Sequence, residues 1–278
     1  MLVNLNYVLD LAKKGNFAVG LFNTCSIEEA RGVISAAEET NSPVIIGTAE
    51  VLLPFCPLEN LIDTLIPMAK RAKVPVVVHF DHGLTYERCL QALRGGFTSI
   101  MYDCSMLSYD ENINNLKEMV KIAHAFGATV EGELGHVGNV GDGAKPEDFY
   151  TKPEEAKEFV EKTGVDALAI AVGTAHGTYK TTPKLDFERI VAIREAIPNT
   201  PLVLHGGSGL SNEDFRKSID CGIRKINIFT DLDKAAASAS YQAYLNGKNA
   251  LTQMMPDIVE SVKQAVIKKM LIFKNQGE

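Results

Sequence analysis

Short apolar runs rich in β-forming residues alternate with longer helical patterns along the whole 278-residue chain. Such alternation predicts parallel strands joined by helices. Runs such as Val76–Val78 and Leu202–Leu204 are continuously apolar, as expected of strands that are covered on both faces. Eight runs are predicted to be strands: Phe17–Phe22, Pro43–Ile46, Pro75–Phe80, Thr98–Tyr102, Thr129–Leu134, Asp166–Val172, Pro201–Leu204 and Lys225–Ile228.

Helical patterns lie between these runs, and two more follow the last one. They are Ile27–Thr40, Leu58–Lys73, Tyr86–Arg94, Asp110–Phe126, Pro153–Thr163, Phe187–Ala196, Asn212–Asp220, Leu232–Leu245 and Pro256–Phe273. Eight strand–helix units predict one α/β domain over residues 1–278, a TIM (β/α)8 barrel with extra C-terminal helices. An open doubly wound sheet competes, but it usually has fewer strands and a glycine-rich first loop, which Phe22–Ser26 is not.

Composition limits the partners of the chain. Hydrophobic residues make up 46% and charged residues 23%, which is enough apolar material for a sizeable core. The net charge is −7 without any run of Lys or Arg, so neither nucleic acid nor a membrane is an expected partner. Met1–Gly15 lacks the features of a secretory signal, and the five cysteines are scattered. A reducing cytoplasm is the expected location.

Three histidines follow three different predicted strands at one end of the barrel. His82 follows strand three, His176 follows strand six and His205 follows strand seven. Active sites of these barrels lie at the C-terminal ends of the strands. Three protein ligands with one open position are typical of catalytic Zn²⁺, so the placement predicts a zinc site.

Carboxylates occupy the same end of the barrel. Asp81 directly precedes His82, so its carboxylate can face the pocket without binding metal, as a general acid/base must. Asp103 and Glu133 lie at the ends of strands four and five. We expect these two to orient metal ligands or to hold a second cation, with a purely structural role as the alternative.

The other histidines lack this placement. His79 lies in mid-strand and His124 lies on a helix, and both are interpreted as structural. His136 precedes the long irregular segment Gly138–Lys152, and its role is left open. Segments of that length are more often functional lids than domain boundaries.

The run H-G-G-S-G at His205–Gly209 offers several unobstructed backbone N–H groups and a hydroxyl, which suits an anion site. Barrels often bind phosphate in the loops after strands seven and eight. A glycine-rich turn alone is weak evidence. Together with Asn227–Thr230 after strand eight, it predicts a phosphate site.

Six motifs carry a resemblance to a known family. The chain resembles the class II fructose-bisphosphate and tagatose-bisphosphate aldolases, and the motifs occur in family order over most of its length. They are V-V-V-H-F-D-H-G (Val76–Gly83), M-Y-D-C-S (Met101–Ser105), V-E-G-E-L-G (Val130–Gly135), A-V-G-T-A-H-G (Ala171–Gly177), L-V-L-H-G-G-S-G (Leu202–Gly209) and K-I-N-I-F-T-D (Lys225–Asp231).

The resemblance implies zinc-dependent, reversible aldol cleavage of a phosphorylated ketose to dihydroxyacetone phosphate and an aldehyde. It implies that the zinc ligands are His82, His176 and His205. Asp81 is the implied proton donor. Asp103 and Glu133 are implied to lie at an alternative metal position.

Further residues are implied to bind the substrate. The phosphate is expected on Gly177, Gly206, Gly207, Ser208, Asn227, Ile228, Phe229 and Thr230. Gly177 and Ser208 are also implied to bind a monovalent cation, Na⁺ or K⁺, while Asn23 and Thr48 match positions near the substrate. The resemblance further implies a homodimer or homotetramer.

The chain departs from the family pattern after strand five. The family usually has Arg or Thr after L-G and a Glu-Asp pair in G-G-x-E-D, whereas this chain has His136 and then Gly141 at the Glu position. Asp142 is the predicted replacement for the base that protonates carbon, with Glu147 or Asp148 as alternatives. A different loop also predicts an uncommon ketose 1-phosphate as an alternative to a bisphosphate.

Two other functions are kept as alternatives. A metal-dependent sugar-phosphate epimerase or isomerase also needs a bound cation, but it tends to use more carboxylate ligands. A barrel that binds sugar phosphate without catalysis is the other, because barrels host many functions.

Overall fold

The fold is a closed barrel of eight parallel strands. The computed structural model describes residues 1–138, 149–177, 179 and 183–275. Strands pair in chain order and the first also pairs with the last, which confirms the predicted TIM barrel. The strands are β1 (Val19–Asn23), β2 (Val44–Ala49), β3 (Val76–Gly83), β4 (Ser99–Tyr102), β5 (Thr129–Leu134), β6 (Ala167–Ile170), β7 (Leu202–Leu204) and β8 (Ile223–Ile228).

Helices surround the barrel. In the described part of the chain they are α1 (Leu5–Gly15), α2 (Ile27–Glu39), α3 (Leu58–Arg71), α4 (Tyr86–Arg94), α5 (Tyr109–Ala125), α6 (Pro153–Thr163), α7 (Phe187–Ala196), α8 (Asn212–Cys221), α9 (Thr230–Leu245) and α10 (Leu251–Phe273). A 3₁₀ turn spans Glu50–Leu52. None of the described helices is long and apolar enough to cross a membrane.

Helix α1 was not among the predicted elements. Asn4 caps its first turn by accepting a hydrogen bond from the backbone N–H of Tyr7. Its buried residues Leu5, Val8 and Leu9 recur at helical spacing and pack with Val19, Leu21, Ile45, Val77, Ala167, Ala169 and Val203. Each such side chain contributes about 1.5–3 kcal/mol by leaving water. The helix thus closes the barrel at the N-terminal ends of the strands.

The interior changes character along the strands. The end next to α1 is apolar, but interior positions nearer the C-terminal ends carry buried polar side chains. These occur at two-residue spacing on the same strand, as in the pairs His79 and Asp81 on β3, Glu131 and Glu133 on β5, and Lys225 and Asn227 on β8. Residues at that spacing share one face of a strand. The strands therefore direct a charged cluster towards the C-terminal end.

Candidate active site

A cavity of about 580 Å³ opens at the C-terminal ends of the strands. It is lined by Asn23, Asp81, His82, Asp103, His136 and His176 and by all eight residues predicted to bind phosphate. Two predicted metal residues, His205 and Glu133, are fully buried behind this lining. The structure therefore brings residues from β1, β3, β4, β5, β6, β7 and β8 to one place.

His82 owes its position to an irregularity in β3. The pairing of β3 with β4 shifts between Phe80 and Gly83, and His82 has a φ of 41°, in the left-handed region. Such a conformation is uncommon for a residue other than glycine and clusters at functional sites. The irregularity allows Asp81 and His82, which are adjacent in sequence, both to line the cavity.

The imidazoles of His82 and His205 contact each other, and each also contacts a carboxylate. Nδ1 of His82 lies 2.7 Å from Oδ2 of Asp103, and Nε2 of His205 lies 2.8 Å from Oε1 of Glu131. Nε2 of His82 and Nδ1 of His205 lie 2.8 Å apart, which is a hydrogen-bond distance. Burial opposes the charge of His82, but the carboxylates of Asp81 and Asp103 outweigh it and raise the pKa of His82 to about 9. A metal bound by these two nitrogens would displace the proton between them.

His176 completes the group. Its ring centroid lies 4.8 Å from that of His82 and 5.7 Å from that of His205, and one ligand atom from each residue falls within 4.8 Å of the others. Its buried Nε2 has no hydrogen-bond partner among the described residues. Burial, reinforced by the neighbouring histidines, lowers the pKa of His176 to about 3, so its imidazole is neutral. Three imidazoles in this arrangement suit Zn²⁺, with a position left for substrate.

A second group with metal-ligand spacing comprises His82, Asp103 and Glu133. Ser105 donates to Oδ1 of Asp103 at 2.7 Å, and Glu133 accepts from the backbone N–H of Val137 at 3.0 Å. Burial and the Asp103 carboxylate raise the pKa of Glu133 to about 8. A cation bound beside Glu133 would favour the charged form of its carboxyl. Asp103 and Glu133 therefore remain candidates for the predicted alternative metal position.

His136, whose role was left open, belongs to the site. It lines the cavity, and its Nδ1 lies 3.1 Å from Oγ of Ser105 and 3.7 Å from Oε1 of Glu133. His124 lies on the surface, with its Nε2 2.9 Å from Oδ2 of Asp166, as a structural role requires. His79 is fully buried as predicted.

Both carboxylate oxygens of Asp81 are held by amides. Asn23 donates to Oδ2 at 2.7 Å and Asn227 donates to Oδ1 at 3.0 Å. Burial opposes the charge of Asp81, but His82 and Lys225 outweigh it and lower the pKa of this carboxyl below its ordinary range. Asp81 is thus an ionised carboxylate of fixed orientation beside the three histidines.

Sequence reasoning missed two residues of this network, Glu131 and Lys225. The side chains of both are fully buried, and Nζ of Lys225 lies 2.8 Å from Oε2 of Glu131. A signal was available, because each stands two positions before a predicted site residue, Glu133 or Asn227, and therefore shares its face. A charged residue inside a closed barrel needs a partner, which predicts such a pair.

The predicted phosphate loops lie side by side. Gly207 donates its backbone N–H to Asn227 at 3.1 Å, and Oγ of Ser208 accepts from the backbone N–H of Phe229 at 3.3 Å. Gly206 has a φ of 65°, and a Cβ there would lie 2.4 Å from the carbonyl oxygen of Ala175. The hydroxyl of Tyr179 fastens the loops by accepting from the N–H of Ala175 and donating to the carbonyl of Gly206.

One predicted substrate residue, Thr48, does not line the cavity. Thr48 pairs with Phe80, whose ring packs against Phe97 in the outer layer, so Thr48 faces the helices while its neighbour Ala49 lines the cavity. The expectation for Thr48 is corrected for that reason. Asp142, like Glu147 and Asp148, lies outside the described residues.

Comparison with known proteins tests the family resemblance independently of the site geometry. The family model described as "Fructose-bisphosphate aldolase class-II" matches residues 3–278. The chain belongs to the class II fructose-bisphosphate aldolase family. It is therefore an aldolase, a lyase that cleaves a carbon–carbon bond by the aldol reaction. Membership decides against the epimerase and the non-catalytic barrel.

Individual relatives support the same family assignment. The chain is 39% identical over 280 residues to "Uncharacterized protein YdjI" of Escherichia coli (strain K12), covering all of this chain and 99% of the relative. The crystal structure of the YdjI aldolase has a TM-score of 0.89 at 37% identity, over 98% of this chain and 97% of that one. Fructose-bisphosphate aldolase (Fba) from Campylobacter jejuni has a TM-score of 0.79 at 25% identity, over 99% and 95%.

Proposed function

We propose that this aldolase depends on zinc and reversibly cleaves a phosphorylated ketose to dihydroxyacetone phosphate and an aldehyde. One observation carries the proposal: ring nitrogens of His82, His176 and His205 lie within 4.8 Å of one another, next to Asp81. Three imidazoles so close together are typical of a catalytic zinc site, and the buried Nε2 of His176 has no hydrogen-bond partner among the described residues.

Zinc bound by these histidines would act as a Lewis acid on the carbonyl and the adjoining hydroxyl of the ketose. The chain supplies the geometry for this. Asp103 and Glu131 contact one ring nitrogen each of His82 and His205, so that the other nitrogen of each ring is directed to the position where zinc would bind.

Asp81 moves the hydroxyl proton. In cleavage its carboxylate accepts the proton of the hydroxyl on the carbon that becomes the aldehyde. The carbon–carbon bond then breaks, the new C=O bond forms, and the electron pair of the broken bond stays on the dihydroxyacetone phosphate half. In condensation Asp81 returns the proton. The amides of Asn23 and Asn227 aim the carboxylate throughout.

The phosphate is assigned to the loops after β7 and β8. Thr230 begins α9, where the helix dipole favours an anion. Gly206 and Gly207 let backbone approach the ligand without side-chain obstruction. In this proposal the phosphate of dihydroxyacetone phosphate binds on one side of the three histidines.

The opposite wall favours an aldehyde without a second phosphate. Loops after β2, β3 and β4 contribute Val51, Leu84, Met106 and Leu107, which are 61%, 52%, 74% and 48% exposed. Among the described residues that line the cavity, none is Lys or Arg. A phosphate on this wall would lose water without gaining a cation. A ketose 1-phosphate therefore suits the site better than a bisphosphate.

Other predictions remain proposals. The base that protonates carbon is assigned to Asp142, and a monovalent cation to Gly177 and Ser208. A homodimer or homotetramer in the cytoplasm also stays a prediction, and light scattering of the purified protein tests the assembly.

Solvent deuterium exchange into dihydroxyacetone phosphate tests the function without knowledge of the aldehyde. Zinc-loaded protein is expected to exchange the carbon-bound proton, and chelated protein is not. Condensation rates with glyceraldehyde and with glyceraldehyde 3-phosphate then test the aldehyde. Absence of exchange with zinc bound would contradict the proposal, and a strong preference for the phosphorylated aldehyde would contradict its ketose 1-phosphate part.

A further inference from the structure

Lys225 is a lysine without any exposure to solvent. It lies on β8, and its Nζ contacts Oε2 of Glu131 at 2.8 Å and Oδ1 of Asn227 at 2.7 Å. A buried ammonium loses several kcal/mol of hydration, so it persists only with partners of good geometry. It does not line the cavity and cannot contact a substrate there. Its effect on the reaction must pass through its two partners.

The first partner, Glu131, contacts the proposed metal ligand His205. Oε1 of Glu131 accepts from Nε2 of His205, which leaves Nδ1 of His205 facing Nε2 of His82. Lys225 forms an ion pair with the other carboxylate oxygen, Oε2, and this attraction favours the observed orientation of the carboxylate. Groups that orient a metal ligand in this way typically account for 10–100-fold in metal affinity.

The second partner leads to the proton-transfer residue. The amide of Asn227 has one acceptor and one donor end, and Lys225 can only donate while the carboxylate of Asp81 can only accept. The ammonium therefore fixes Oδ1 of Asn227 towards itself and Nδ2 towards Asp81, at 3.0 Å. Without the ammonium, Oδ1 of Asn227 loses its donor, and the hydrogen bond to Asp81 alone holds the amide.

We propose that Lys225 is a positioning residue that sets both the metal ligand His205 and the proton-transfer residue Asp81 from below the cavity. The inference rests on the proposed function. The ammonium also supplies positive charge next to His79, Asp81 and Glu131, a fully buried group with metal-ligand spacing. The side chain of Lys225 thus affects both metal binding through His205 and proton transfer by Asp81.

Mutations can separate the effect of Lys225 on His205, through Glu131, from its effect on Asp81, through Asn227. These two effects are called the His205 branch and the Asp81 branch. K225M leaves Glu131 without its cation and Asn227 without its donor, so zinc affinity is expected to fall about 10–100-fold. In K225M/E131Q the unpaired carboxylate is removed, while an amide oxygen at position 131 can still accept from His205. Zinc affinity is then expected to return towards the wild-type value, whereas Asn227 stays unsupported.

Three measurements distinguish these states. Zinc affinity comes from competition with a chromophoric chelator, and carbon-proton exchange of dihydroxyacetone phosphate reports the metal half. Condensation of dihydroxyacetone phosphate with glyceraldehyde at saturating zinc reports Asp81. For K225M/E131Q we expect near-normal affinity and exchange but a condensation kcat lowered about 10-fold or more with little change in KM, because misplacement of a catalytic group costs turnover.

K162M is the matched control. Lys162 pairs with Glu158 on the surface of α6, so its loss should change none of the three readouts. If K225M fails to fold by circular dichroism, the double variant decides, since replacing a buried ion pair by neutral groups is often tolerated. Wild-type condensation in K225M/E131Q overturns the Asp81 branch, and loss of zinc affinity persisting in it overturns the His205 branch. A wild-type protein without zinc-dependent exchange instead contradicts the proposed function.

Discussion

Asn23 donates a hydrogen bond of 2.7 Å to Asp81 across the barrel interior, from the end of β1 to the end of β3. Since Asn227 holds the other carboxylate oxygen, the orientation of Asp81 depends on three strands that are distant in sequence. Asp81 has no freedom to swing away from the three histidines, which is how a carboxylate dedicated to one proton transfer should be held.

The first prediction concerns that carboxylate. D81N should retain zinc, because Asp81 is not one of the three ligands, but should lower cleavage about 10²-fold or more through loss of the proton acceptor. Zinc content by elemental analysis and the cleavage rate check this. Carbon-proton exchange of dihydroxyacetone phosphate should survive in D81N, so its loss would show that Asp81 supports metal binding instead.

Removal of the metal should destabilise the protein. A ligand that binds only the folded state at about 1,000 times its Kd adds about 4 kcal/mol of stability. Chelation should therefore lower the Tm of the wild type. H205A should already have the low Tm, contain no zinc and show no response to the chelator. A wild-type zinc content in H205A would remove His205 from the ligand set.

The base that protonates carbon can be found by single substitutions in the segment after β5. D142N should lower deuterium exchange into dihydroxyacetone phosphate about 10²-fold or more, the usual share of a general base. E147Q and D148N should exchange normally, and E154Q on α6 is the control. G141E in the D142N background should restore exchange by placing a carboxylate at the position usual in the family. Normal exchange in D142N locates the base elsewhere.

The apolar wall predicts a change of aldehyde preference. L107R introduces a guanidinium opposite the phosphate loops, and an Arg pairs well with a phosphate. The kcat/KM ratio for glyceraldehyde 3-phosphate over glyceraldehyde should rise about 10-fold, which corresponds to about 1.4 kcal/mol. L245R, at the far end of α9, carries the same charge change and should leave the ratio unchanged. An equal ratio in both variants would mean that this wall does not contact the aldehyde.

Gly206 is predicted to be intolerant of a side chain. G206A combines a left-handed φ with a Cβ 2.4 Å from the Ala175 carbonyl oxygen, so we expect a loss of about 1–3 kcal/mol and a raised KM. G127A separates the two causes, because Gly127 has a φ of 72° but an added Cβ there meets nothing within 4 Å. Urea denaturation of both variants should show the larger loss for G206A.

Much of the fold and site could be predicted from the sequence because the signals are local. Each apolar run identifies a strand, and a reactive residue directly after it, such as His176, lies at the C-terminal end of the barrel whatever the details. Helix α1 also carried a local signal, the spacing of Leu5, Val8, Leu9 and Ala12.

Side-chain direction could not be predicted in the same way. Whether Thr48 or Ala49 faces the cavity depends on the register of β2 against β3, and a shift of one residue exchanges the two faces. The pairing of Lys225 with Glu131 joins residues 94 positions apart, from β8 and β5. Barrel closure creates that contact, and no single stretch of sequence contains it.

Helix α1 also limits the access of solvent and substrate to the barrel interior. Leu5, Val8 and Leu9 seal the base of the barrel with close-packed hydrocarbon, so solvent has no entry from beneath. Within the part of the chain that the structure describes, substrate and product therefore reach the charged interior from the cavity at the C-terminal ends of the strands.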